Sequence, residues 1–152
     1  MNHLLLVVLA VGLSFAPVPT STETDPEAAA IRAVALDFID GFYTADGARV
    51  EHAVHSELVR RIVTTDPKTA KSTLEQMSAM TLIQRTRGVG KTFPKNRRQE
   101  DVTILDRFQD TAMVKIVATG WIDYLQMAKF DGEWKIINEL WVRKPKPEEK
   151  TP

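Results

Sequence analysis

The first place to look for chemistry is a carboxylate among apolar neighbours, and the stretch Gly120 to Val142, GWIDYLQMAKFDGEWKIINELWV, contains one. Asp123 alternates with Trp121, Leu125 and Met127, so in a strand the four share a face. A carboxylate buried there must find partners or carry a raised pKa, which a general acid or base near neutrality needs. The alternative is structural: backbone or an arginine satisfies Asp123, which then only fixes sheet register. His55 is the second candidate, either an acid or base at a pocket rim with Asp123, or a helix cap against Arg61 or Glu57. Arg60 and Arg61 point to opposite sides of a strand, so one faces the pocket, where a guanidinium suits a carboxylate or phosphate. Arg61 is the candidate carried forward, and the sequence leaves the choice open. His52 and His55 stand at helical spacing with Glu51 nearby, but no third ligand is identifiable, so no metal or cofactor is expected.

These residues need a scaffold, and the same stretch supplies its centre. Asp131-Gly132 separates two runs rich in aromatic and branched residues, the signal for a two-residue hairpin. Pairing outward sets Phe130 opposite Glu133, Lys129 opposite Trp134 and Trp121 opposite Val142. One face then carries Asp123 and Asn138 as polar neighbours within an apolar set. The other carries Ile122, Tyr124, Ile137 and Trp141, too apolar to stay in water as a group, with Tyr124 opposite Glu139. Helices cover one side of such a sheet, so this second side is expected to meet another copy of the chain.

Composition bounds the function. The chain has 152 residues, is 43% hydrophobic and balances 20 Lys+Arg against 20 Asp+Glu, which suits one domain and gives no global pull toward nucleic acid or anionic surfaces. There is no cysteine, so disulfides and thiolate chemistry are excluded. The run Leu4 to Phe15 is too short to span a bilayer and reads as a signal-peptide core, giving residues 1–20 as signal and export to the periplasm or medium. No membrane association is expected after cleavage.

Along the rest, residues 21–26 form a linker and residues 27–143 a single domain, with 144–152 a disordered tail. Asp25-Pro26 starts a helix with Ile31, Val34, Ala35, Phe38 and Phe42 as its apolar stripe, ending near Tyr43. A second helix is expected over Arg49–Ser56, then a strand from Leu58 to Val63. Ser72 with Glu75 reads as a capping box opening a third helix that carries Leu74, Met77, Met80 and Ile83, closed by Gly88 and Gly90. The basic loop Lys91–Arg98 is too sparse in charge and aromatics for nucleic acid. Strands Val102–Phe108 and Thr111–Ala118 precede the hairpin, and the order defines an α+β domain with helices on one sheet face.

The stretches ALDFIDGFYTADGARVEHAVHSELVRRIV, DVTILDRF-QD-TAMVKI and GWIDYLQMAKFDGEWKIINELWV resemble the nuclear transport factor 2-like superfamily, closest to the group labelled putative lumazine-binding proteins. The most specific pieces are Tyr43 with Asp46, His55-x-Glu57-Leu58-x-Arg60-Arg61, and Asp123-Tyr124-Leu125 followed by Asp131-Gly132-x-Trp134-Lys135-Ile136. Ser56 departs from the proline that commonly follows the histidine. The resemblance implies a SnoaL-like cone: a curved antiparallel sheet wrapped over N-terminal helices, with a pocket at its mouth. It covers polyketide cyclases, a ketosteroid isomerase and a dehydratase as well as non-catalytic modules, so it implies fold more than activity.

The expectation is therefore an exported domain, homodimeric through the outer sheet face, that binds a small, partly apolar molecule. Asp123 and Asn138 form the polar floor, Trp121, Leu125, Met127 and Met77 the lining, and Tyr43, Arg61 and His55 complete the site. Two alternatives use the same chain: an isomerase, cyclase or dehydratase with Asp123 as general base, and a dimerisation module with a filled cone.

Overall fold

The computed structural model describes residues 25–88 and 92–145. The expected signal, most of the linker, Gly90, Lys91 and residues 146–152 of the tail lie outside the described residues. Asp25 starts α1 (Pro26–Thr44) as expected: its carboxylate accepts the Glu27 and Ala28 N–H groups at 3.0 and 3.2 Å, with proline at the first helical position. Ile31, Ala35 and Phe38 of its stripe are fully buried. Glu27 fastens the first turn of α1 to the late hairpin, accepting from Lys129 Nζ and Trp134 Nε1, each at 2.8 Å.

Asp46 caps α2 (Gly47–Ala53), which is shorter than the expected Arg49–Ser56 helix. The chain passes at Val54 directly into β1 (Val54–Thr65), so His55 and Ser56 belong to a strand. The third-helix expectation also requires correction. Ser72–Ser78 forms β2, antiparallel to β1 from Val59↔Ser78 to Thr65↔Ser72, and only Ala79–Gly88 is helical, as α3. A ladder with β1 outweighs the capping-box pattern of Ser72 and Glu75. Thr64 and Thr73 then hydrogen-bond across the pair at 3.0 Å.

After a single 3-10 turn at Lys95–Arg97 come β3 (Glu100–Phe108), β4 (Thr111–Ala118), β5 (Trp121–Phe130) and β6 (Glu133–Arg143). The sheet order is β2-β1-β6-β5-β4-β3. It is mixed, because β1 and β6 run parallel while every other pair is antiparallel. The Asp131-Gly132 turn has φ of 50° and 88°, both in the left-handed region that such tight hairpins require. Helices cover one face: α1 lies over β3, β4 and β6, and α3 over β1 and β2. Between them Phe38, Tyr43, Leu58, Leu82, Leu125 and Ile136 fill the core.

One irregularity governs everything at the open end of the hairpin. Pairing holds as expected from Phe130↔Glu133 to Met127↔Ile136, and then Gln126 pairs with Asn138, leaving Ile137 as an extra residue. Such a bulge moves every later side chain to the other face. Trp121 therefore stands opposite Arg143, not Val142.

Candidate functional site

Beyond the bulge, Glu139 and Trp141 turn to the inner face beside Asp123, and Asn138 and Leu140 turn out. Arg60, paired with Glu139 across β1 and β6, also points inward. The result is a compact ionic cluster. Arg60 Nε donates to Glu139 Oε1 at 2.8 Å, and its Nη2 lies 3.9 Å from Asp123 Oδ1. Trp121 Nε1 donates to Asp123 Oδ2 at 2.8 Å. Asp123 is 0% exposed, Glu139 1%, and the Arg60 side chain 11%. The guanidinium lies 4.3 Å from the centroid of Trp141 and 5.2 Å from that of Phe42, cation–π contacts that offset part of its lost hydration.

Two buried carboxylates beside one guanidinium leave a net negative charge in a dry setting, which is costly. With both ionised, Asp123 Oδ1 and Glu139 Oε2 have no hydrogen-bond partner. One proton held between them satisfies both oxygens and neutralises the cluster. Burial raises the pKa of Asp123, against the opposing pull of Glu139, Arg60 and the Trp121 N–H. Burial drives Glu139 well above the ordinary value; Arg60 opposes this, and the Asp123 charge reinforces it.

Arg60 has a second neighbour. A cavity of about 240 Å³ opens between α3 and the inner face of β2, β1 and β6, lined by Arg60, Met77, Thr81, Arg85, Trp141 and Arg143 among others. Inward alternation explains the lining: Met77 faces Arg60 across β1 and β2, and Trp141 follows Glu139 by two on β6. Thr81 and Arg85 lie one turn apart on α3.

The expected site residues divide into groups. Asp123 is inward with Trp121, and Met77 lines the cavity. Leu125 and Met127 are inward but enclosed in the core, at 0% and 1% exposure. Tyr43 is a latch: its hydroxyl donates to Gln99 O at 2.7 Å and accepts the Thr119 N–H at 2.8 Å, tying α1 to the start of β3 and the β4–β5 turn. Asn138 is not beside Asp123; the bulge places it on the outer face, where Arg61 Nη1 donates to its Oδ1 at 3.3 Å and its Nδ2 donates to Gln126 at 3.0 Å. Arg61 is therefore outward and Arg60 is the inward guanidinium. His55 is far from Asp123. Its ring stacks on Phe130 with centroids 4.4 Å apart, and Phe130 is seven positions along β5, about 23 Å at strand rise.

Sequence reasoning missed Glu139 and Trp141, because regular alternation put them outside, and it left the choice between Arg60 and Arg61 open, carrying Arg61 forward. The available signal was Ile136-Ile137, two adjacent branched residues that interrupt the alternating pattern at the bulge.

Three α-helices against an open six-stranded sheet among the described residues make the nuclear transport factor 2-like fold. Among solved structures it matches a nuclear transport factor 2-like protein of unknown function from Shewanella baltica, with TM-score 0.65 and 20% identity over 82% of this chain and 99% of that one. A second, from Methylobacillus flagellatus, gives 0.65 and 17% over 82% and 97%. A ketosteroid isomerase-like protein from Erwinia carotovora atroseptica gives 0.58 and 14% over 80% and 99%. These likenesses carry the fold alone. No curated protein matches the chain. Within this class the chain belongs to the family described as "Putative lumazine-binding", whose model matches residues 26–142.

Proposed function

We propose that the domain binds a small, partly apolar molecule in the cavity between α3 and the inner sheet face. The observation that carries this reading is the double role of Arg60, which lines the cavity and holds both buried carboxylates behind it. A cluster kept dry and neutral behind one side of a hollow is a polar wall that a ligand can address through one guanidinium. The description of the family points the same way, since lumazine is itself a small heterocycle. Catalysis with Asp123 as general base has less support, because its side chain is fully buried and bonded to Trp121.

Export belongs to the same proposal and rests on the apolar run Leu4 to Phe15. So does a homodimer through the outer sheet face. There Tyr124, Leu140 and Val142 are 39%, 51% and 46% exposed, joined by Val63 and Leu74 at 54% and 60%. Trp141, expected in that interface, is replaced by Leu140, which the bulge turns outward.

The test is native mass spectrometry of protein purified from its own host, alongside a Thr81→Trp variant that fills the cavity. A carried small molecule that the variant loses supports the reading. Protein that carries none, or a variant that retains it, contradicts it.

A further inference from the structure

The chemistry of the cavity narrows the ligand class, and this step rests on the binding reading above. We infer that the cavity takes a small organic anion, a carboxylate on a compact apolar body. Its lining carries three guanidiniums, Arg60, Arg85 and Arg143, against one carboxylate, Glu75. The charge of Arg60 is already balanced by the buried pair that shares one proton. Two arginines against one glutamate remain, an excess of one positive charge facing the hollow. Neither Arg85 nor Arg143 has a carboxylate within ion-pair distance among the described residues, whereas Arg49, Arg87, Arg98 and Arg107 all do. Arg143 instead lies 5.6 Å from the Trp141 ring centroid. Guanidiniums left unpaired on a concave surface are donors awaiting an acceptor, and their forked geometry suits a carboxylate.

The first turn of α3 adds to the same field. Its helix has no acidic residue in that turn, and Thr81, whose N–H is held by Ser78 Oγ at 3.3 Å, lines the cavity. Beneath these charges the floor is apolar: Ile62 is buried, and Met77 packs partly buried against the core. A volume of about 240 Å³ gives room for a monocyclic acid. Charge above and hydrocarbon below select an amphiphilic anion over either a neutral heterocycle or a bare inorganic ion.

Three probes separate these possibilities: benzoate, its neutral counterpart benzamide, and inorganic phosphate, each titrated against the full chain while following tryptophan emission. Trp141 reports the cavity directly. Benzoate is expected to bind at least tenfold more tightly than either of the others. Arg85→Gln and Arg143→Gln, both at exposed positions that leave the core intact, are each expected to weaken benzoate about tenfold and leave benzamide unchanged. Benzamide binding as tightly as benzoate overturns the anion class while leaving a small-molecule pocket standing. Phosphate binding as tightly as benzoate overturns the role of the apolar floor. No response to any of the three overturns the inference and the binding reading together.

Discussion

Glu139 and Asp123 sit on adjacent strands, facing the same side of the sheet, and a single arginine serves both. Arg60 reaches Glu139 Oε1 at 2.8 Å and comes within 3.9 Å of Asp123 Oδ1. Such a trio is stable only while its charges balance.

Stability should fall as pH rises. Both carboxyls have folded pKa values above their ordinary ones, so the folded state binds more protons than the unfolded state. Their contribution is complete below the ordinary value of 4.5 for Glu139 and is lost as pH climbs from there through its raised folded pKa. One proton corresponds to about 1.4 kcal/mol per pH unit. Urea denaturation from about pH 5 to about pH 8 should show this decline in the wild type and a flattened profile in Glu139→Gln, whose amide can donate to Asp123 without ionising. Parallel profiles would count against a shared proton.

Removing the guanidinium should be severe. Arg60→Met strands two buried carboxyls without a counter-charge, a loss of about 3–5 kcal/mol. Adding Asp123→Asn and Glu139→Gln to Arg60→Met removes the charges and should recover a substantial part of it. Chemical denaturation of the single and triple variants checks this, and an equally unstable triple variant would show that packing, not charge, is at stake.

The Tyr43 latch is separable from the ionic cluster. Tyr43→Phe leaves the Thr119 N–H and the Gln99 carbonyl without their shared hydroxyl, at a cost of about 1–3 kcal/mol. The loss should be the same at every pH, since no carboxylate is involved. A pH-dependent loss would link Tyr43 to the cluster.

Much of this fold can be read directly from the chain. The Asp25-Pro26 start, the Asp131-Gly132 turn and the alternating strands are local signals whose physics acts within a few residues. β2 is not legible locally, because Ser72 and Glu75 fit a helix start while the ladder to β1 that decides the matter is tertiary. The site failed at a single residue. No glycine marks the bulge at Ile137, yet that insertion exchanges Asn138 for Glu139 beneath the helices and Trp141 for Leu140 outside. Asp123 lies ahead of the insertion on the partner strand, so its inward direction was readable. The identity of its neighbours was not.

The outer face offers a test of assembly. Leu140→Lys places a charge at the centre of the exposed apolar strip and should convert a dimer to a monomer by light scattering. Trp141→Asp, by contrast, should lower stability, because that ring lies against Arg60 on the inner side. A Leu140→Lys protein with unchanged mass would argue against this interface.

The measurement closest to the centre of the account is a carbon-13 NMR titration of the Glu139 side-chain carboxyl, assigned through Glu139→Gln. The proton-sharing cluster predicts a carboxyl that ionises well above the ordinary range of an exposed glutamate. A carboxyl that ionises in the ordinary range of an exposed glutamate would contradict it.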